Sequence, residues 1–253
     1  MVESFWLYPL LFCTAGIAGL VDSIAGGGGL ITLPVLLAVG IPPKFALGTN
    51  KFQSSFGSFT AAIYFVRHGV AGLKEIKTGV IFTLVGAAVG AWTVQQINST
   101  VLNQIIPFFL LAILLYTFVV PKFGEFDGAP KFSRNIFFIV AGLVFGFYDG
   151  FFGPGVGSFW AMAIVFGLGV NLTKATGTTK VLNFTSNIVS FALFLAGGYV
   201  IFFAGMTMAV GQIVGARFGS RMVVKKGSSF IRPVYVAVVV ATTAKLLYNA
   251  YIR

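Results

Sequence analysis

Twice in this chain an apolar segment breaks on a cluster of glycines, and each break is later followed by a threonine and a lysine. The first copy runs Asp22-Ser-Ile-Ala-Gly26-Gly27-Gly28-Gly29, then an apolar stretch, then Gly48-Thr49-Asn50-Lys51. The second runs Asp149-Gly-Phe-Phe-Gly153-Pro154-Gly155-Val-Gly157, an apolar stretch, then Gly177-Thr178-Thr179-Lys180. One acid before each cluster and one lysine after it, in both halves, point to a duplicated membrane transporter with discontinuous helices.

The rest of the chain agrees with a bilayer as solvent. It is 57% hydrophobic and 9% charged, against roughly 25% charged in soluble domains. Its apolar material comes in blocks near the roughly 20 residues that span a membrane. The expected fold class is all-α, a polytopic transmembrane helical protein in contact with the lipid bilayer. The net charge of +11 sits mostly in short connections, where topology places it; part of it could also draw in an anion. No basic run is long or aromatic-interleaved enough for nucleic acid, so no such partner is expected. Cys13 and His68 are the only residues of their kinds. That excludes a disulfide within the chain and a multi-histidine metal site, and neither metal nor cofactor is expected. Met1-Val-Glu3-Ser4 lacks the basic start of a cleaved signal peptide, so the first apolar block is expected to be retained.

Each half divides into five apolar stretches, at 5–25, 30–40, 50–66, 78–97 and 101–120, and at 135–152, 157–170, 180–196, 199–216 and 231–250. This gives a first transmembrane repeat over 1–120, a cytoplasmic linker over 121–134 and a second repeat over 135–253. The second stretch of each half is too short for an ordinary span. With glycines in front of it, each pair reads as a hairpin or a broken helix. The repeat continues in Gly86-x-x-x-Gly90-Ala91 and Gly211-x-x-x-Gly215-Ala216, small residues four apart that let membrane helices approach closely.

Loop charges relate the halves. Between stretches three and four the first half is basic, with Arg67, Lys74 and Lys77, and its next loop, 95–100, carries no Lys or Arg. In the second half the order swaps. The region at Gly197-Gly198 is uncharged, and the next carries Arg217, Arg221, Lys225, Lys226 and Arg232. Positive residues favour the cytoplasmic side. The halves are therefore expected to lie upside down relative to each other, as inverted-topology repeats, with both termini on the external side.

Helix-breaking glycine at membrane depth leaves backbone groups unpaired, which is tolerable only inside protein or beside a polar cavity. A helix start there offers N–H groups and a positive dipole end to an anion. Gly26, Gly27, Gly28 and Gly29, with Gly153, Gly155 and Gly157, fit that use; close helix packing is the alternative. Thr49, Asn50, Lys51 and Gln53, and Thr178, Thr179, Lys180, Asn183 and Asn187, are read as opening the third stretch of each half, where Thr or Asn can cap a helix start. Amides inside a span are costly unless they face protein or water, so these faces should line the interior and bind substrate. Lys51 and Lys180 either pair with an anion or snorkel to the interface. A cation at a helix start opposes the dipole, so two of them hint at a compensating anion. Asp22 and Asp149 either carry protons or a coupling cation, or cap the glycine turns.

The pattern G-x-x-D-S-x-x-G-G-G-G-L-I-x-x-P-x-L over Gly19 to Leu36, followed by Ala46 to Lys51, resembles the sulfite exporter TauE/SafE family. Gly153 to Gly157 and Ala175 to Lys180 resemble that family's second repeat. The resemblance spans essentially the whole chain. It implies a bacterial inner-membrane permease exporting sulfite or organosulfonates such as sulfoacetate, with no catalytic residues. Pro154 departs from an unbroken glycine run and stiffens the second loop. The expected partner is a small anionic substrate, carried by alternating access; a passive anion channel or a carboxylate permease is the alternative, and a homodimer is left open. An inside-negative potential favours anion efflux by about 2.3 kcal/mol per charge per 100 mV, so export need not be tightly coupled to an ion.

Overall fold

The computed structural model describes residues 6–102, 105–106 and 128–227. The expected stretch at 231–250, most of that at 101–120, half of the linker and both chain ends lie outside them. Among the described residues every regular element is helical. In the first half these are α1 (Leu7–Ala25), α2 (Gly28–Ala38), α3 (Pro43–Arg67) and α4 (Lys77–Gln96), with a 3-10 turn at Leu73–Ile76 and helical residues again at 99–102 and 105–106. The second half repeats the order as α5 (Arg134–Phe151), α6 (Val156–Leu168), α7 (Leu172–Ala196) and α8 (Phe202–Lys226).

Two helices start earlier than the sequence suggests. Thr49-Asn50-Lys51 lies about two turns inside α3, and Thr178-Thr179-Lys180 lies inside α7, so neither run caps a helix start. Proline supplies the first start, with Pro43 at the opening position where no N–H is needed. Asn171 supplies the second, its side chain accepting from the Lys174 N–H as an ordinary N-cap. The basic residues Arg217, Arg221, Lys225 and Lys226 are likewise on α8 itself rather than in a loop after it.

The first and fourth helices pair across the halves. Gly211 and Gly215 of α8 pack on the backbone of Phe12 and Gly16 in α1, and Gly219 on Ser23. In the reciprocal seam, Gly86 and Gly90 of α4 meet Leu143 and Phe147 of α5, while Gly146 and Gly150 face Thr83 and Ala87. A Cβ at most of these positions would overlap backbone, so the matched small residues are used for close approach. Helices α3 and α7 run antiparallel through the centre. Gly48 near the start of α3 lies against Phe194 and Tyr199, whereas Phe65 near its end lies against Gly177.

Cations gather at one end of the bundle. Arg134 pairs with Glu75 at 2.8 Å, Arg217 lies over the Tyr64 ring, and Lys174 shares a cavity wall with Glu75 and Arg134. At the other end Lys44 donates to the Gln95 carbonyl. The radial order is that of a membrane protein. Ile81, Val85, Val89 and Trp92 on α4, and Ile136, Val140 and Val144 on α5, point outward, whereas Asn50, Lys51, Gln53, Asn183, Ser186 and Asn187 are buried. The segments Leu7–Ala25, Leu73–Gln96, Arg134–Phe151 and Leu172–Ala196 are long and apolar enough to cross a bilayer.

Candidate functional site

Neither second helix can cross. α2 has 11 residues and α6 has 13, so at 1.5 Å per residue they reach about 16 and 20 Å, short of a roughly 30 Å core. Each folds back beside the helix before it. The α1–α2 tip turns at Gly26, with φ of 70°, and the α5–α6 tip turns at Gly153 and Gly155, with φ of 98° and 82°. Such conformations favour glycine because a Cβ would collide with the backbone.

The two tips touch. Gly26 packs directly on Gly157, and Gly29 on Pro154. The Ser158 hydroxyl lies 3.0 Å from the Ala25 carbonyl oxygen and 2.5 Å from that of Gly26, donating across the contact. Tyr148 braces the second tip by donating to the Pro154 carbonyl at 2.7 Å. Pro154 therefore stiffens a surface that the other half packs against.

Beside this contact, α3 and α7 present their polar faces, and the ionic pairing crosses between the halves. Lys51 Nζ lies 2.5 Å from Asp149 Oδ1, with exposures of 1% and 2%. Lys180 Nζ lies 2.8 Å from Asp22 Oδ2, with exposures of 1% and 23%. The compensating anion for each lysine is thus the aspartate of the opposite half. Asp22 is also the turn cap, its Oδ1 accepting from the Gly27 and Gly28 N–H groups at 3.1 and 3.2 Å. Asp149 instead accepts from Ser186 on its second oxygen.

A cavity of about 30 Å³ lies between the pairs, room for about two waters. Of the expected residues it is lined by Asp22, Gly27, Gly29, Asn50, Lys51, Asp149, Gly153, Gly155, Gly157, Asn183 and Asn187, joined by Ser54 and Val156. Others stand back from it. Gly28 packs on Asp22 and Ala18. Gln53 donates to Asn50 Oδ1 at 2.8 Å, and Asn50 accepts from Thr32 as well. Thr49 accepts from the Ile201 N–H. Thr178 lines a separate cavity at the basic end. Thr179 Oγ1 and Asn183 Oδ1 are buried without a hydrogen-bond partner.

A family model described as sulfite exporter TauE/SafE matches residues 11–246. The chain belongs to the TauE/SafE family. It is a multi-pass membrane transporter, and not an enzyme. Among its relatives, the probable membrane transporter protein YfcA of Escherichia coli K12 is 48% identical over 97% of this chain and 91% of its own length. A probable membrane transporter protein of Haemophilus influenzae is 44% identical over 96% of this chain and 95% of its own. A sulfite exporter TauE/SafE family protein of Arabidopsis thaliana is 25% identical over 47% of this chain and 28% of its own. No solved structure matches the chain significantly.

Sequence reasoning missed three polar members of this centre, Ser54, Ser158 and Ser186. A serine inside a helix usually bonds back to its own turn, and Ser186 does so as well as reaching Asp149. Its place three residues after Asn183, on the same helix face, was the available signal.

Proposed function

We propose that this protein moves a small sulfonate or related sulfur oxyanion across a bacterial inner membrane by alternating access. The observation that carries it is the meeting of two glycine tips beside a polar cavity lined by the buried Lys51, with the buried Lys180 held just behind it on Asp22. The halves act as inverted-topology repeats, and the glycine-broken hairpins enter from opposite faces. Antiparallel α3 and α7 support that relation, as does the reciprocal pairing of α1 with α8 and α5 with α4. Lys51, Lys180, Asn50, Asn183 and Asn187 take over the anion's hydration when their present partners release them. Rocking one repeat against the other opens the site to each side in turn.

Proteoliposomes test the carrier. Uptake of labelled isethionate should saturate, and trapped unlabelled isethionate should accelerate it by counterflow. Uptake linear in concentration without counterflow would identify a channel. Sulfoacetate, taurine and acetate as competitors then rank the chemistry, and stronger competition by acetate than by the sulfonates would point to a carboxylate permease.

The basic end faces the cytoplasm in this reading, and the start of α1 faces the periplasm. In a Cys13→Ala background, a cysteine replacing Ser99 should react with an impermeant maleimide from outside intact cells. One replacing Lys225 should react only after the membrane is opened. The reverse pattern would overturn the orientation.

A further inference from the structure

The centre is electrically balanced before any substrate arrives. Lys51 and Lys180 contribute two positive charges, and Asp149 and Asp22 contribute two negative ones, each lysine within 2.8 Å of its carboxylate. Adding a monovalent anion leaves an unbalanced charge inside a bilayer, which is strongly unfavourable. The rest of the cavity wall is glycine, asparagine, serine and valine, and none of these can absorb a charge. A proton joining one carboxylate can.

The two carboxylates are not equivalent. Asp22 would lose Lys180 to an anion yet keep the Gly27 and Gly28 N–H groups, and it is 23% exposed. Asp149 is 2% exposed. Once Lys51 turned away it would keep only the Ser186 hydroxyl. Among the described residues no other ionisable group stands ready to replace Lys51. Tyr148, next to Asp149 on α5, has its hydroxyl committed to Pro154. α3 and α7 contribute Lys51 and Lys180 themselves, and α1 contributes Asp22. α6 carries no ionisable residue, and α4 carries only Lys77 at its first position.

We propose that a monovalent anion enters this site together with one proton, and that Asp149 is the group that takes it. The inference rests on the anion-transport reading above. Lys51 Nζ moves from Asp149 Oδ1 to an oxygen of the anion. The vacated Oδ1 takes a proton from water on the open side, turning carboxylate into carboxylic acid. Two lysines, one carboxylate and one anion then sum to zero, so the loaded carrier crosses neutral. Release on the far side returns the proton to water and Lys51 to Asp149. Transport of a monovalent anion is then governed by the pH difference across the membrane and not by its potential.

The test uses the whole protein in proteoliposomes with a trapped pH-sensitive dye and labelled isethionate, which stays monovalent throughout the working range. One proton should move with each isethionate, at a rate unchanged by potassium–valinomycin potentials. Apparent affinity should fall as pH rises, by up to about tenfold per pH unit, the slope for one linked proton. In Asp149→Asn, any isethionate that still exchanges should move without protons, and its binding should no longer depend on pH. Where that variant does not fold, the wild type decides: a protonated-carboxyl infrared band should appear on adding isethionate. Isethionate moving with net charge and no proton, or requiring sodium instead, overturns the coupling and leaves the transport reading standing. Proton movement surviving in Asp149→Asn overturns the assignment to Asp149. No isethionate movement at all overturns both readings.

Discussion

Lys51→Met is expected to lower stability by about 3–5 kcal/mol and to abolish anion transport. The cost follows from Asp149, which stays buried at 2% exposure with its nearest positive charge gone. Breaking a buried pair from one side is far more harmful than removing both partners, because the survivor keeps its desolvation cost without the attraction that offset it. The double variant Lys51→Met, Asp149→Leu should therefore regain most of the lost stability, seen as recovery of the thermal midpoint in detergent. It should stay inactive in counterflow, since no cation remains in that half of the site. Equal midpoints for the single and double variants would show that the pair contributes little to holding α3 against α5. The cycle also separates folding from function, which a lysine substitution alone cannot do here.

Gly26→Val should be comparably severe for a different reason. At φ of 70° a β-branched residue is strained by about 1–3 kcal/mol. Its Cβ would also sit about 2.5 Å from the Gly157 carbonyl carbon, and overpacking adds about 1–3 kcal/mol. Little folded protein should be recovered from membranes, and none of it should transport. Gly40→Ala isolates the backbone contribution, because Gly40 has φ of 83° and nothing within 4 Å of an added Cβ. That variant should lose about 1 kcal/mol and keep transport. Similar behaviour of Gly26→Ala and Gly40→Ala would mean that the tips do not need their contact.

The tips were legible in the sequence because glycine clusters inside apolar blocks have few other uses, and the short stretches after them were measurable against a bilayer. Stretches 78–97 and 135–152 came close to α4 and α5 because those helices show lipid an unbroken apolar surface. The starts of α3 and α7 were lost for the opposite reason. Their inner faces carry Thr49, Asn50 and Lys51, or Thr179, Lys180 and Asn183, and a polar run looks the same at a cap as beside a buried cavity. The signals at Pro42-Pro43 and Asn171 were present but stood beside weaker hydropathy. One lysine and one acid per half were also in view. Their crossed pairing was not, because spacing along a chain carries no record of which half supplies the partner.

The seam between α1 and α8 bears on how the protein is made. A chain leaves the ribosome from its amino end, and domains ordinarily fold in that order. Here the earliest described helix is completed by the latest one, and Lys51 has no carboxylate at its side until α5 is synthesised. The first half must therefore wait in the membrane as an open surface, its glycine-lined flank filled by lipid and its lysine unpaired. Assembly is a closing step that comes near the end of synthesis. A chain stopped after α4 would hold α1 to α4 and neither of their ion pairs.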